Sequence, residues 1–446
     1  MRAAVPSSSH PALSAALLVG ASFAALSGCG AHGSSPSAQP GGPAPVGTQD
    51  GGGESAGGLV STTSVDLQQT SVSGLSSGAF FAVQFHVAFS SIMKGAAIFA
   101  GGPYYCAQGS ETTAVTTCES AGPSAPSLVA ITKTNFASGA IDDPSNLASQ
   151  NVFLFGGADD TTVAPAVMDS LDAYYASFVG SSNINYVSRH PATAHTLPTV
   201  SYGSSCDQTS SPYVGDCGYD GAGAALAQIY GPLAPKAATL SGSFVSVPQG
   251  NFIANPASHS LADNAYAYVP SSCATGATCR IHVSFHGCEQ NEGTVADAYY
   301  KHGGFNEWAD TNDIIVLYPQ TIDSYVSPSN PDGCWDWWGY DGANYAEKTG
   351  TQMGMVRAMV GWIAGGGLVG GSAVADGGSS TLPASDAGGT AICVTASNLA
   401  QVAAGRAIDL GGYAYAAGTY SFLGADTSSV TSSLEALGAG IYTTCP

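Results

Sequence analysis

Positive charge is what this sequence has least of: 10 Lys and Arg stand against 31 Asp and Glu, a formal net charge of -21. A chain so acidic repels phosphate backbones instead of neutralising them, which excludes nucleic acid as a partner. Charge of either sign is scarce, at 9% of residues, while Tyr numbers 21 and Gly 58. The surface is therefore built largely from neutral polar residues and Tyr, a composition that suits an exported protein. No CxxC pair and no His-rich cluster occurs, so no metal site is expected. No internal repeat is evident. With 44% hydrophobic residues over 446 positions, the chain can bury a large core and has room for more than one domain.

The apolar run from Ala12 to Leu26 falls short of a membrane span and ends in Ser27, Gly28 and Cys29, which reads as a signal peptide over residues 1–29. LSGC resembles a bacterial lipobox, so Cys29 is the expected lipidation site and the only expected link to a membrane. The destination is then the outer membrane or cell surface, or the medium if the segment is an ordinary signal peptide. Setting Cys29 aside leaves ten cysteines, an even number suited to an oxidising compartment. Their spacing suggests Cys106 with Cys118, Cys206 with Cys217, Cys273 with Cys279, Cys288 with Cys334, and Cys393 with Cys445. Residues 30–60 and 365–390 are Gly-, Ser- and Pro-rich linkers. They bracket a domain over 61–364 and set off a small module over 391–446.

Within the bracketed domain, short apolar runs bounded by glycine (GAAIFAGG, NVFLFGG, RIHVSFHG, DIIVLYPQ) alternate with helical patterns such as FFAVQFHVAFSSI and GTQMGMVRAMVGWI. Such alternation predicts an α/β fold with a mostly parallel sheet.

Gly74-Leu75-Ser76-Ser77-Gly78 fits G-x-S-x-G, at the end of one predicted strand and the start of a helix. The flanking glycines permit the sharp turn that exposes a serine Oγ, and the next backbone N–H, from Ser77, can face a developing oxyanion. A Gly/Ser-rich turn is the plain alternative. A nucleophilic serine needs a histidine base and a carboxylate to orient it, in the chain order Ser, Asp, His for this fold. NVFLFGG leads into Asp159 and Asp160, and the strand INYVSR leads into His190 and His195. Asp160 and His195 are favoured; Asp159 and His190 are the local rivals, and helix capping is the ordinary job of an Asp here.

The second oxyanion donor belongs on a loop preceding the nucleophile. The best candidate, His286-Gly287-Cys288, follows all three triad candidates instead. Reading 275–365 before 62–200 restores the usual order, so the domain is expected to be circularly permuted. In that role the amide of Cys288, not the imidazole of His286, acts on the oxyanion.

The segments SGLSSGAF, FAGGPYYCA, GADDTTVAP, ATAHTLPT, SPYVGDCGYDGAGAALAQIYG, HVSFHGCEQN, ADTNDIIVLYPQ and NPDGCWDWWGY together resemble the circularly permuted extracellular poly(3-hydroxybutyrate) depolymerases. The resemblance covers roughly residues 65 to 365. It implies an α/β-hydrolase with Ser76, Asp160 and His195 as triad and the amides of Ser77 and Cys288 as oxyanion hole, acting without a cofactor on a polyester. Trp335, Trp337, Trp338 and Tyr340 are candidate substrate-binding aromatics, although the family pattern has tryptophan where this chain has Tyr340. A feruloyl or acetyl esterase acting on polysaccharide, and an inactive surface-binding lipoprotein, are the alternatives.

Overall fold

A computed structural model describes residues 64–368 and, further on, 394–403, 407–409, 413–416, 422–425, 427–438 and 441–445. The expected signal peptide, Cys29, the first linker and most of the second lie outside the described residues.

The strands in chain order are β1 (Ser64–Val65), β2 (Thr70–Leu75), β3 (Met93–Phe99), β4 (Asn151–Gly157) and β5 (Ile184–His190). Three short ones follow, β6 (Leu197–Thr199), β7 (Ser204–Ser205) and β8 (Val214–Asp216), and then β9 (Ser243–Pro248), β10 (Asn264–Val269), β11 (Thr278–Phe285) and β12 (Ile314–Tyr318). The main sheet runs β5-β4-β3-β2-β11-β12-β10-β9, with β1 beside β11. From β5 across to β12 every pair is parallel; β10 and β9 close the far edge antiparallel. Strands β2 and β12 are buried at every residue. That explains the unbroken apolar runs of the sequence: a parallel strand covered on both faces has no reason to alternate. The antiparallel pair β9–β10 was not among the strands expected.

Helix α1 (Ser77–Ala88) is buried along its whole length, as its apolar residues on every side require. Further helices span Ala125–Ala137, Pro165–Tyr175, Gly221–Tyr230 and Thr351–Ala364. Because β2, β4, β5 and β11 are parallel, the turns that follow them emerge at one edge of the sheet. This carboxyl edge is where open α/β sheets place their ligands.

Cys106–Cys118, Cys206–Cys217, Cys273–Cys279 and Cys288–Cys334 are disulfides, the pairs expected. Cys445 is also disulfide-bonded; Cys393 lies outside the described residues. In the C-terminal module, a helix at Asn398–Ala403 accompanies two three-stranded antiparallel sheets, and among the described side chains Ala407, Ala414, Ala416 and Leu434 form a buried apolar cluster.

Three histidines are structural. His86 bonds Tyr175 and Gln150, His282 bonds the Ser71 and Ser73 hydroxyls, and His286 lies beside β12's outgoing chain. Burial pushes their pKa from 6.5 down to about 4, about 3 and about 4. A depressed folded-state pKa gives stability that is complete above the unfolded value of 6.5 and drains away as pH falls toward the folded value. Replacing His282 by Gln removes one such group. The stability gap between wild type and His282→Gln, read from thermal unfolding, is expected to shrink between pH 6.5 and 4, by roughly 3 kcal/mol at most. A gap that widens on acidification contradicts this assignment.

Candidate active site

The turn between β2 and α1 is built by close approach. A Cβ on Gly74 would stand 2.2 Å from the Gly78 carbonyl oxygen, and one on Gly78 would stand 2.3 Å from the carbonyl oxygens of Phe285 and His286. Neither position can carry a side chain, so both glycines of the motif are dictated by packing of the turn on itself and on the end of β11. Between them Ser76 takes φ 56°, ψ −124°, a conformation that costs an L-residue on the order of 1–3 kcal/mol and is held only when its surroundings fix it. They do: the Ser76 amide donates to Phe99 O at 3.2 Å, and the amides of Ala79 and Phe80 donate to Ser76 O.

Asp160 follows β4 and is 5% exposed; His195 follows β5 and is 4% exposed. His195 Nδ1 lies 2.8 Å from Asp160 Oδ2. The other carboxylate oxygen, Oδ1, accepts from the amides of Thr162 at 2.9 Å and Val163 at 2.8 Å. Orienting a histidine and capping a turn are therefore not competing roles for Asp160; one oxygen serves each. The rivals go elsewhere. Asp159 is exposed, its amide bonded to Thr193 O, and His190 bonds the Thr193 hydroxyl while its ring packs on Phe155 and Tyr219.

His286, Gly287 and Cys288 lie against this turn, with Gly287 facing Ser76 Cβ. His286 receives the Thr321 amide on Nε2, so Nδ1 carries the proton that goes to Gly287 O at 2.7 Å. Buried and held neutral, its imidazole sets the loop's backbone. Gln290, which sequence reasoning passed over, does so from the other side: its side-chain oxygen accepts the Gly287 amide at 2.7 Å, and its side-chain NH2 reaches Pro212 O and Tyr213 O. The Cys288–Cys334 disulfide ties the same loop to the aromatic segment. Among the described residues, the amides of Ser77 and Cys288 donate to nothing, leaving two N–H groups beside Ser76 free for an anionic oxygen.

Ser76, His195, Gly287 and Cys288 line one cavity of about 220 Å3, together with Thr162, Tyr213 and Glu119. Glu119 and Cys288 are shared with a larger neighbour of about 390 Å3, walled by Asn330, Pro331, Trp337 and Trp338. A third cavity, about 270 Å3 around Lys236, Asp220 and His302, holds none of the candidate residues.

The four aromatics of the run therefore divide. Trp337, stacked on Phe80 with centroids 4.1 Å apart, and Trp338 line the larger cavity. Trp335 is a correction: it is fully buried against Phe81, Phe285 and His286 and belongs to the core. Tyr340 lines neither cavity; its hydroxyl is used up inside the protein, donating to Cys334 O and accepting from Asn330 and Gln352. What bends the run is Asp336, which accepts the amides of Gly339, Tyr340 and Asp341 and whose carboxyl is pushed up to about 7 by burial.

No family model matches the sequence. A poly(3-hydroxybutyrate) depolymerase from Delftia acidovorans is 46% identical over 303 residues, which are 66% of this chain and 60% of that protein. A polyhydroxybutyrate depolymerase from Talaromyces funiculosus is 41% identical over 312 residues, 66% of this chain and 89% of that protein. The chain thus spans about 60% of the length of the first relative and most of the second. Of solved structures, the PHB depolymerase from Penicillium funiculosum superposes with a TM-score of 0.63 at 39% identity, over 68% of this chain and 97% of that one. A serine-to-alanine PHB depolymerase complexed with an R3HB trimer gives 0.64 at 38% identity, over 69% and 99%.

Proposed function

The chain belongs to the polyhydroxybutyrate depolymerase family, and from that premise we propose that it hydrolyses the ester bonds of poly(3-hydroxybutyrate) through an acyl-enzyme on Ser76. The observation that carries the reading is the His195–Asp160 pair in the cavity of a strained, glycine-flanked Ser76.

With Nδ1 held by Asp160, His195 keeps Nε2 for the serine proton. Deprotonated by it, Ser76 Oγ attacks the ester carbonyl, and the oxyanion so formed sits on the amides of Ser77 and Cys288. Collapse expels the alcohol end of the leaving chain, which takes the proton from His195. Water, activated by the same imidazole, then releases the acyl chain as a carboxylic acid and restores Ser76. Asp160 stabilises the imidazolium in both halves. Each of these groups comes from the protein itself. Trp337 and Trp338 offer apolar surface to the methyl-bearing polymer next to the reacting ester.

Strand order supports circular permutation. Counted from β9, the chain order β9, β10, β11, β12, β2, β3, β4, β5 lies in space as 1-2-4-3-5-6-7-8, the way an unpermuted α/β-hydrolase strings its sheet. Nucleophile and oxyanion loop then follow the fifth and third strands. The four disulfides support export, and the LSGC string supports lipidation at Cys29 as the anchor. Residues 61–364 form the catalytic domain in this reading, with 391–446 an accessory module.

The test is substrate choice. Purified protein is expected to clear a poly(3-hydroxybutyrate) suspension and release 3-hydroxybutyrate and its short oligomers, while releasing no ferulate or acetate from substituted xylan. Release from xylan without clearing of the polyester overturns the substrate assignment.

A further inference from the structure

Resting on the reading above, we infer that Glu119 is a specificity-determining residue, which disfavours substrates carrying a free carboxylate and so directs the enzyme to uncharged ester segments.

Glu119 lies in the helical turn Ala114–Ala121, and its main chain is pinned beside the Asp160 loop by the Ala164 amide, which donates to Glu119 O at 2.7 Å. Glu119 lines both the Ser76 cavity and the Trp337–Trp338 cavity. Any chain that threads from one into the other passes it. Among the described residues no hydrogen bond or ion pair ties the carboxylate down. Glu289, held by the Tyr213 hydroxyl, lines the Ser76 cavity, and Glu111 and Asp332 line the other. Neither cavity is lined by a Lys or Arg. A cleft of this composition holds no counterion for an anionic substrate.

The chemistry gives that charge something to act on. The interior of a polyester is neutral, but each chain has a carboxylate at one end, and each turnover makes another: water adds to the acyl carbonyl, the bond to Ser76 Oγ breaks, and the released acid loses its proton. Burial raises the Glu119 pKa, so the charge is complete only well above the usual carboxylate range; once ionised, in the same cavity as Ser76, it hinders a short acid from seating its carboxylate in the cleft and hastens departure of the acid just formed. Such selectivity by repulsion is a common way to reject a near-substrate.

The experiment compares kcat/KM for the linear 3-hydroxybutyrate trimer as methyl ester and as free acid, at about pH 8 in low salt. Wild type is expected to favour the ester by about tenfold, and added salt to reduce that ratio. In Glu119→Gln the ratio is expected to fall about fivefold, in Glu119→Asp to stay near wild type, and in Glu289→Gln to fall as well. A wild-type ratio near one, or one insensitive to salt, overturns the inference, as does a Glu119→Gln ratio equal to wild type. A protein that hydrolyses neither trimer overturns the depolymerase reading, and this inference with it.

Discussion

Ser76→Ala is expected to lower kcat for ester hydrolysis by on the order of 10⁵-fold while the protein folds normally. In the proposed mechanism the Oγ forms and breaks the covalent bond, and nothing else in its cavity replaces it: the other lining groups are His195, carboxylates, Thr162, Thr209, Tyr213 and apolar or backbone surface. What survives is the share supplied by binding and the two amides. Stability should hardly change, because the serine hydroxyl makes no hydrogen bond among the described residues, and alanine meets the same backbone cost at φ 56° as serine does. Steady-state kinetics on the trimer methyl ester with thermal unfolding alongside separates the two effects. Activity within a hundredfold of wild type is incompatible with Ser76 as nucleophile.

Asp160→Asn is expected to cost about 10⁴-fold in kcat, and the reason is a proton's position. The amides of Thr162 and Val163 both point at Oδ1. An asparagine must keep its oxygen there, which turns its NH2 toward His195 Nδ1. The imidazole then accepts at Nδ1 and carries its proton on Nε2, where it cannot receive another from Ser76. Capping survives, so the melting temperature should stay close to wild type. Asp160→Ala loses the cap as well and should be less stable by about 1–2 kcal/mol at similar activity. An Asn variant within tenfold of wild-type kcat would show that Asp160 only caps.

The parts of the fold that were legible in the sequence are those fixed by local rules. The apolar runs ending in glycine are β3 and β4, the run DIIVLYPQ contains β12, and four cysteine pairs close as their spacing suggested. The candidate triad and oxyanion residues were legible as a group because each follows a strand of the parallel sheet, where such strands bring distant residues together. The remainder was decided by tertiary packing. Trp335 and Trp337 are two residues apart with the same chemistry and are both buried, yet only Trp337 reaches a cavity wall, a difference set by packing against Phe81 and Phe285 on one side and Phe80 on the other. Gln290 looks like any surface glutamine until Gly287 and the 212–213 carbonyls are placed around it. Glu119 gave no signal either, since only the fold brings the turn after Cys118 beside Asp160. The edge strand β9 is largely exposed, and neither it nor β10 carries an unbroken aliphatic run of the kind that marks β12, which is why the pair escaped notice.

Active-site labelling tests the central claim most directly. Incubation with a fluorophosphonate, digestion and peptide mass mapping are expected to find one adduct per molecule, on the peptide containing Ser76, absent from Ser76→Ala. An adduct on another residue, or none in a protein that still hydrolyses the trimer ester, would contradict it.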